Sequence, residues 1–139
     1  YNFTGKNIGV IDERGEIGAV YNGKASLDLG LRTDIISNCP KDIGIKMCVR
    51  SMGLDIISTD EIGSKKDIDA IKEASLSGVA LIFTMHASSV YDLYKREDIL
   101  KLIDERIFDC IIVLSNKGGI GTIADIKIID KEEKINACI

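Results

Sequence analysis

Asp60 and Glu61 stand side by side at the end of the apolar run Leu54-Asp55-Ile56-Ile57-Ser58-Thr59, just before the turn residues Ile62-Gly63. Adjacent carboxylates in that setting suit metal-assisted phosphoryl transfer. Asp60 can hold Mg²⁺, usually through water, because a hard dication prefers carboxylate oxygen and sheds its own water reluctantly. Glu61, pointing into the same cleft, can orient and deprotonate the attacking water, a positioning task that such reactions need more than covalent chemistry. The plainer reading is a pair of acids that caps a strand and faces solvent, as acids usually do.

Other strand ends bear on that choice. Apolar runs also finish in Asp12-Glu13-Arg14 and in Thr84-Met85-His86, and open parallel sheets gather their functional groups at the carboxyl ends of strands. Glu13 joins Asp60 and Glu61 as a candidate catalytic acid, and Thr84 or His86 could hydrogen-bond a terminal phosphate or the attacking water. Arg14, Arg32 and Arg50 are candidates to contact phosphate, within one chain or across a subunit boundary; surface ion pairs with the abundant acids are their alternative. In nucleotide hydrolases of the P-loop kind, an acid pair of this sort is the metal-and-base half of the site. The complementary phosphate-binding loop, Gly-x-x-x-x-Gly-Lys-[Ser/Thr], occurs nowhere in the 139 residues.

The elements that must position these groups alternate in type. Apolar runs at Asn7 to Asp12, Asp55 to Asp60, Val79 to Thr84 and Cys110 to Leu114 read as strands buried on both faces, separated by helix-period stretches. The segment Gly15 to Asn38 has little periodicity and is expected to be mostly loop. Pro40 can open a helix, Ile43, Met47 and the Val49-Arg50 turn follow at helical spacing, and Gly53 offers a left-handed end. Ser64-Lys65-Lys66-Asp67 predicts a capped helix with Ile68, Ile71 and Ala74 as its apolar stripe, ending at Gly78. A third helix is expected over Glu97 to Arg106, with Ile99, Leu102 and Ile103 inward. After the last buried strand, Asn116-Lys117-Gly118-Gly119 signals a hairpin turn into Thr122 to Ile129; Lys131 to Lys134 reads as a frayed, charged end.

Composition bounds the rest. A chain of this length fits one domain, and 45% apolar with 5% aromatic residues suits an aliphatic α/β interior. Net charge is −4, and basic residues are not interleaved with aromatics, so a nucleic-acid motor is disfavoured. Apolar runs are far shorter than the ~20 residues that cross a bilayer. Cys39, Cys48, Cys110 and Cys138 lack Cys-x-x-Cys spacing and meet a single His, so they read as reduced thiols of a cytosolic protein.

Six segments in order, Val10-Ile11-Asp12-Glu13-Arg14-Gly15-Glu16-Ile17, Leu31-Arg32-Thr33-Asp34, Cys39-Pro40-Lys41, Val49-Arg50-Ser51-Met52, Thr59-Asp60-Glu61-Ile62-Gly63 and Thr84-Met85-His86, resemble the stage III sporulation protein AA family of endospore-forming bacteria. That family is similar in turn to the traffic ATPases of type II and type IV secretion. The stretch from Val49 to His86 looks like their Walker B region and histidine box, and Asp12-Glu13-Arg14 takes the place of their acidic box.

The resemblance implies the C-terminal portion, residues 1–139, of a RecA-like P-loop ATPase domain: a three-layer α/β fold with a mostly parallel sheet and a C-terminal hairpin. It implies a family Walker A strand, loop and helix upstream of Tyr1, so that ATP and Mg²⁺ belong to the longer protein and this chain alone is expected to hold neither. A homohexameric ring is implied, on the cytoplasmic, mother-cell side of the channel to the forespore, working with that channel's membrane proteins. Gly15 and Ala87 depart from the family pattern, which has Ser and Gly there. If the sheet follows the usual strand order, the edges of the Val79 to Thr84 and Cys110 to Leu114 strands must close on each other or be filled by another chain. The alternative to an ATPase is a non-catalytic module that docks the channel's membrane proteins.

Overall fold

β-Branched residues dominate the runs that become central strands. In the computed structural model, which describes residues 5–129, the chain divides into two compact units, Tyr1–His86 and Ala87–Ile139. The first carries β1 (Ile8–Asp12), β2 (Thr33–Ser37), α1 (Lys41–Ser51), β3 (Ile56–Glu61), α2 (Lys65–Ser75) and β4 (Ala80–Thr84). Its sheet has the order β2-β1-β3-β4, and every neighbouring pair is parallel. All four carboxyl ends therefore lie at one edge, the edge where open α/β sheets place their ligands.

β1 and β3 are the buried centre, with Val10, Ile11, Ile56 and Ile57 in the core. Helix α1 approaches them closely because Gly44 has no side chain: a Cβ there would stand 2.7 Å from Ile11 Cγ2. Its buried face is Lys41, Gly44, Ile45 and Cys48, whereas Ile43 and Met47, although at helical spacing, are half exposed. The small residues, not the large ones, define the face that meets the sheet. Gly53 adopts φ +57° beyond the helix end, the left-handed geometry expected of it.

Helix α2 begins with a reciprocal capping box: the Asp67 N–H donates to Ser64 Oγ and the Ser64 N–H donates to Asp67 Oδ2. That fixes its phase, and Ile68, Ala70, Ile71 and Ala74 are buried as it packs on α1 and β4.

The structure adds to the sequence expectation at β2 and corrects it at β4. β2 lies inside the segment expected to be mostly loop; it is a five-residue edge strand whose only large apolar residues are Ile35 and Ile36, too short for a periodic signal. β4 is not buried on both faces, for Ala80, Ile82 and Thr84 are exposed. As the outer strand of the sheet it packs against α2.

The second unit holds α3 (Val90–Tyr94), α4 (Glu97–Asp104), β5 (Cys110–Ser115) and β6 (Thr122–Ile128). Ile99, Leu102 and Ile103 form the buried face of α4 as expected; α3, capped by Ser89, is a single turn without a sequence period. Among the described residues β5 pairs antiparallel with β6 alone, and it alternates exposed with half-buried residues, so it too is not buried on both faces. Gly118, Gly119 and Gly121 all have positive φ in the connecting turn, where the glycines serve a hairpin and not a phosphate cradle. Among the described residues β4 pairs with β3 and β5 with β6. Cys138 and the charged run 131–134 lie outside the described residues.

Cys39, Cys48 and Cys110 are free thiols, and only Cys48 is buried. Burial, helped by the charges of Asp34 and Cys39, pushes the Cys48 thiol up to about 11 from its ordinary 9.0. The folded value lies above the unfolded one, so the associated stability is intact below about pH 9 and is lost as pH rises towards about 11. Urea titrations across that window should show stability falling, with Cys48 supplying at most about 1.4 kcal/mol per pH unit. Cys48→Ala should flatten the slope; an unchanged slope in that variant would contradict the assignment.

Candidate functional site

Parallel pairing gathers the ends of β1, β3 and β4 with the start of α1, which begins three residues after β2 ends. At the end of β1, Asp12 is fully buried and accepts three backbone hydrogen bonds. The Glu16 N–H reaches Oδ1 at 2.8 Å, and the Ile17 and Gly18 N–H groups reach Oδ2 at 3.1 and 2.8 Å. This carboxylate is committed to folding the loop after β1. That loop then carries Glu13 towards the site and leaves Arg14 exposed. Gly15 adopts φ +75°, a conformation that glycine takes without strain.

Strand alternation would send Asp60 and Glu61 to opposite faces. β3 departs from regular register at this point: Thr59 pairs with Phe83 and Glu61 with Thr84, with a shift between Thr59 and Glu61. Such irregularities re-aim side chains at the ends of strands. Asp60 is buried and its Oδ1 lies 3.0 Å from Lys41 Nζ. Its Oδ2 is buried without a hydrogen-bond partner among the described residues. Glu61 is about half exposed and meets a different group, His86, at 3.6 Å from Oε2 to Nε2. The His86 side chain is 91% exposed. Thr84 is exposed, and its carbonyl accepts the Ile62 N–H at 2.9 Å, extending the strand pair past the acids.

Lys41 is the residue that sequence reasoning passed over. It is 6% exposed, and its ammonium bridges Asp60 to Glu13, donating to Glu13 Oε2. Burial alone would lower its pKa; the hydrogen bonds to Glu13 and Asp60 and their charges outweigh that and hold it above the ordinary lysine value. A signal was available. Lys41, Gly44, Ile45 and Cys48 occupy one stripe at helical spacing, and a lysine on a core stripe requires a carboxylate partner.

The arginines separate. Arg32 precedes β2 and donates to Asn7 Oδ1 from both Nε and Nη2, at the amino end of the sheet. Arg50 lies in the last turn of α1, 3.7 Å from Glu73 of α2. Neither is brought to the acid pair within the chain, and Arg14 alone of the three follows a carboxyl strand end.

Among the described residues no group of three or more His, Cys, Asp or Glu side chains is arranged to hold a metal. Asp60 still fits Mg²⁺ in the manner usual for that ion. It is a hard oxygen donor with an orphaned buried oxygen, and the remaining ligands would be water and phosphate oxygens.

A parallel four-stranded α/β sheet with acids at its carboxyl edge, followed by an antiparallel hairpin, is consistent with an incomplete RecA-like fold. The family model for sporulation stage III, protein AA, matches residues 1–134. The stage III sporulation protein AA of Bacillus subtilis (strain 168) is 39% identical over 125 residues, covering 90% of this chain and 41% of that protein. The chain therefore belongs to the stage III sporulation protein AA family, and it spans about two fifths of the length of that relative.

The three hydrogen bonds to Asp12 predict a large effect of a small change. Asp12→Asn keeps the shape but loses the charge and one acceptor, and should lower the unfolding free energy by roughly 1.5–3 kcal/mol. A urea midpoint indistinguishable from wild type would contradict the role.

Proposed function

We propose that this chain is the metal-and-base portion of an ATPase domain whose full-length parent hydrolyses ATP to power or assemble the channel between mother cell and forespore. Family membership gives the role in sporulation. The observation that carries the ATPase reading is that the neighbouring acids at the end of β3 meet different surroundings: Asp60 inward with an unpartnered oxygen, Glu61 outward beside His86. One acid sealed for a cation and one open for a water is the division of labour that phosphoryl transfer requires.

In this reading Glu61 orients the attacking water and takes its proton. His86, at 3.6 Å, holds the Glu61 carboxylate in place or senses its protonation. Thr84, next to Glu61 in the ladder, offers a hydroxyl to a phosphate or the water. Asp60 holds Mg²⁺, which when bound neutralises charge on the phosphates. Phosphate binding falls to a part of the parent outside these residues, so this chain alone neither holds Mg-ATP nor turns it over. Arg14 follows a carboxyl strand end and serves its own site; Arg32 and Arg50, placed away from the acids beside Asn7 and Glu73, are left to structural pairing or to phosphate on a neighbouring subunit. That fits a homohexameric ring in the mother-cell cytoplasm, peripheral to the membrane and docked on the channel's membrane proteins, with no nucleic acid involved. No helix among the described residues is long and apolar enough to cross a membrane.

A second reading, a docking module without catalysis, draws on the β5–β6 hairpin. In register, Cys110 with Ile128, Ile112 with Ile126 and Leu114 with Ile123 make one face of apolar residues that are all exposed. One variant separates the two. Glu61→Gln in the full-length parent should lower the hydrolysis rate by roughly 10²-fold or more while nucleotide binding persists, and spore formation should fail. Normal spore counts from that strain would favour the docking module.

A further inference from the structure

Neither oxygen of Asp60 is open to a metal as the side chain stands. Oδ1 is held at 3.0 Å by the Lys41 ammonium, with the Thr59 hydroxyl at 3.5 Å, and Oδ2 is sealed from solvent. The same ammonium holds Glu13. A divalent ion at Asp60 would lie within a few ångströms of that fixed positive charge in a poorly solvated corner, where repulsion is weakly screened. Mg²⁺ and the Lys41 ammonium therefore compete for this carboxylate.

We propose that Lys41 is an internal counter-ion that occupies the cation position at Asp60 and must be displaced before a divalent metal binds there. The inference rests on reading Asp60 as the metal ligand and adds the residue that sets when it becomes available. Lys41 is a positioning residue: it keeps Asp60 and Glu13 from repelling each other, and its departure frees both carboxylates. The charges make the exchange directional. Asp60, Glu13 and Lys41 sum to −1; removing the ammonium leaves −2, which a dication neutralises. Incoming phosphate groups are the natural destination for the released lysine, as an ammonium pairs readily with phosphate oxygen. Metal loading at Asp60 would then be coupled to arrival of the nucleotide.

The test uses Mn²⁺ alone, a hard ion that carboxylate and water ligands accept in place of Mg²⁺, with free Mn²⁺ read by electron paramagnetic resonance. Lys41→Met should bind Mn²⁺ roughly tenfold or more tightly than wild type, Lys41→Arg should resemble wild type, and Lys41→Met combined with Asp60→Asn should lose the gain. Equal affinity in wild type and a folded Lys41→Met, or a gain that survives Asp60→Asn, would overturn the proposal. If Lys41→Met fails to fold by circular dichroism, Lys41→Gln carries the same expectation, since its amide can still donate to a carboxylate. On the wild-type protein, Mn²⁺ raised until it binds should increase acylation of Lys41 by acetic anhydride, and unchanged labelling would overturn the proposal equally. Because no nucleotide is present, an inactive full-length parent would defeat the ATPase reading and leave these outcomes standing. Equal Mn²⁺ affinities would defeat the counter-ion whatever the hydrolysis rate.

Discussion

The buried ammonium of Lys41, shared between Glu13 and Asp60, is the interaction on which the carboxyl edge of the sheet depends. Three segments distant in sequence meet there: the loop after β1, the first residue of α1 and the end of β3. None could be placed independently. A buried lysine without carboxylates, or a buried aspartate without a cation, would cost several kcal/mol. The hydrophobic packing of Gly44 on Ile11 brings the helix close enough for the bridge to form, so core and site are one piece of construction. Asp12, one residue before Glu13, holds the loop through its three backbone hydrogen bonds and keeps Glu13 within reach.

That construction explains a division between neighbouring acids. Asp60 belongs to the interior and is governed by a fixed counter-charge, whereas Glu61 belongs to the surface and is governed by His86 and solvent. Hydrolysis asks for such a contrast, because a metal ligand must stay ionised and immobile while a general base must exchange protons with water. The site is one-sided, with acids present and a phosphate cradle absent from these residues. Among the described residues the outer edge of β4 is unpaired and one face of the hairpin is apolar and exposed.

Legibility in the sequence followed the strength of local signals. β1 and β3 were readable because both faces are buried and their β-branched runs are continuous; α2 was readable because Ser64 and Asp67 form a capping box ahead of a clean stripe. β2 and α3 were not, since five residues carry too little periodicity to stand out from an irregular surrounding. β4 and β5 look like buried strands from composition, yet each has an uncovered side, a matter of neighbours that no local pattern reports. At the site, Asp60 and Glu61 were visible as an adjacent pair at a strand end. The partners they meet were not, because Lys41 of α1 and His86 after β4 are brought to them by the fold from outside β3. Lys41 carries no local signal of its own near the helix start, and only its place on the stripe with Gly44, Ile45 and Cys48 marks it as interior.

The most direct test of the bridge is a double-mutant cycle on Lys41 and Asp60, using Lys41→Met and Asp60→Leu and measuring unfolding free energy by urea titration. Lys41→Met leaves the Asp60 carboxylate buried and unpaired and should cost roughly 3–5 kcal/mol, Asp60→Leu leaves the ammonium to Glu13 and should cost less, and the double variant, with no charge buried alone, should recover much of the loss. Losses that simply add would contradict the account, for then the two side chains would not depend on each other.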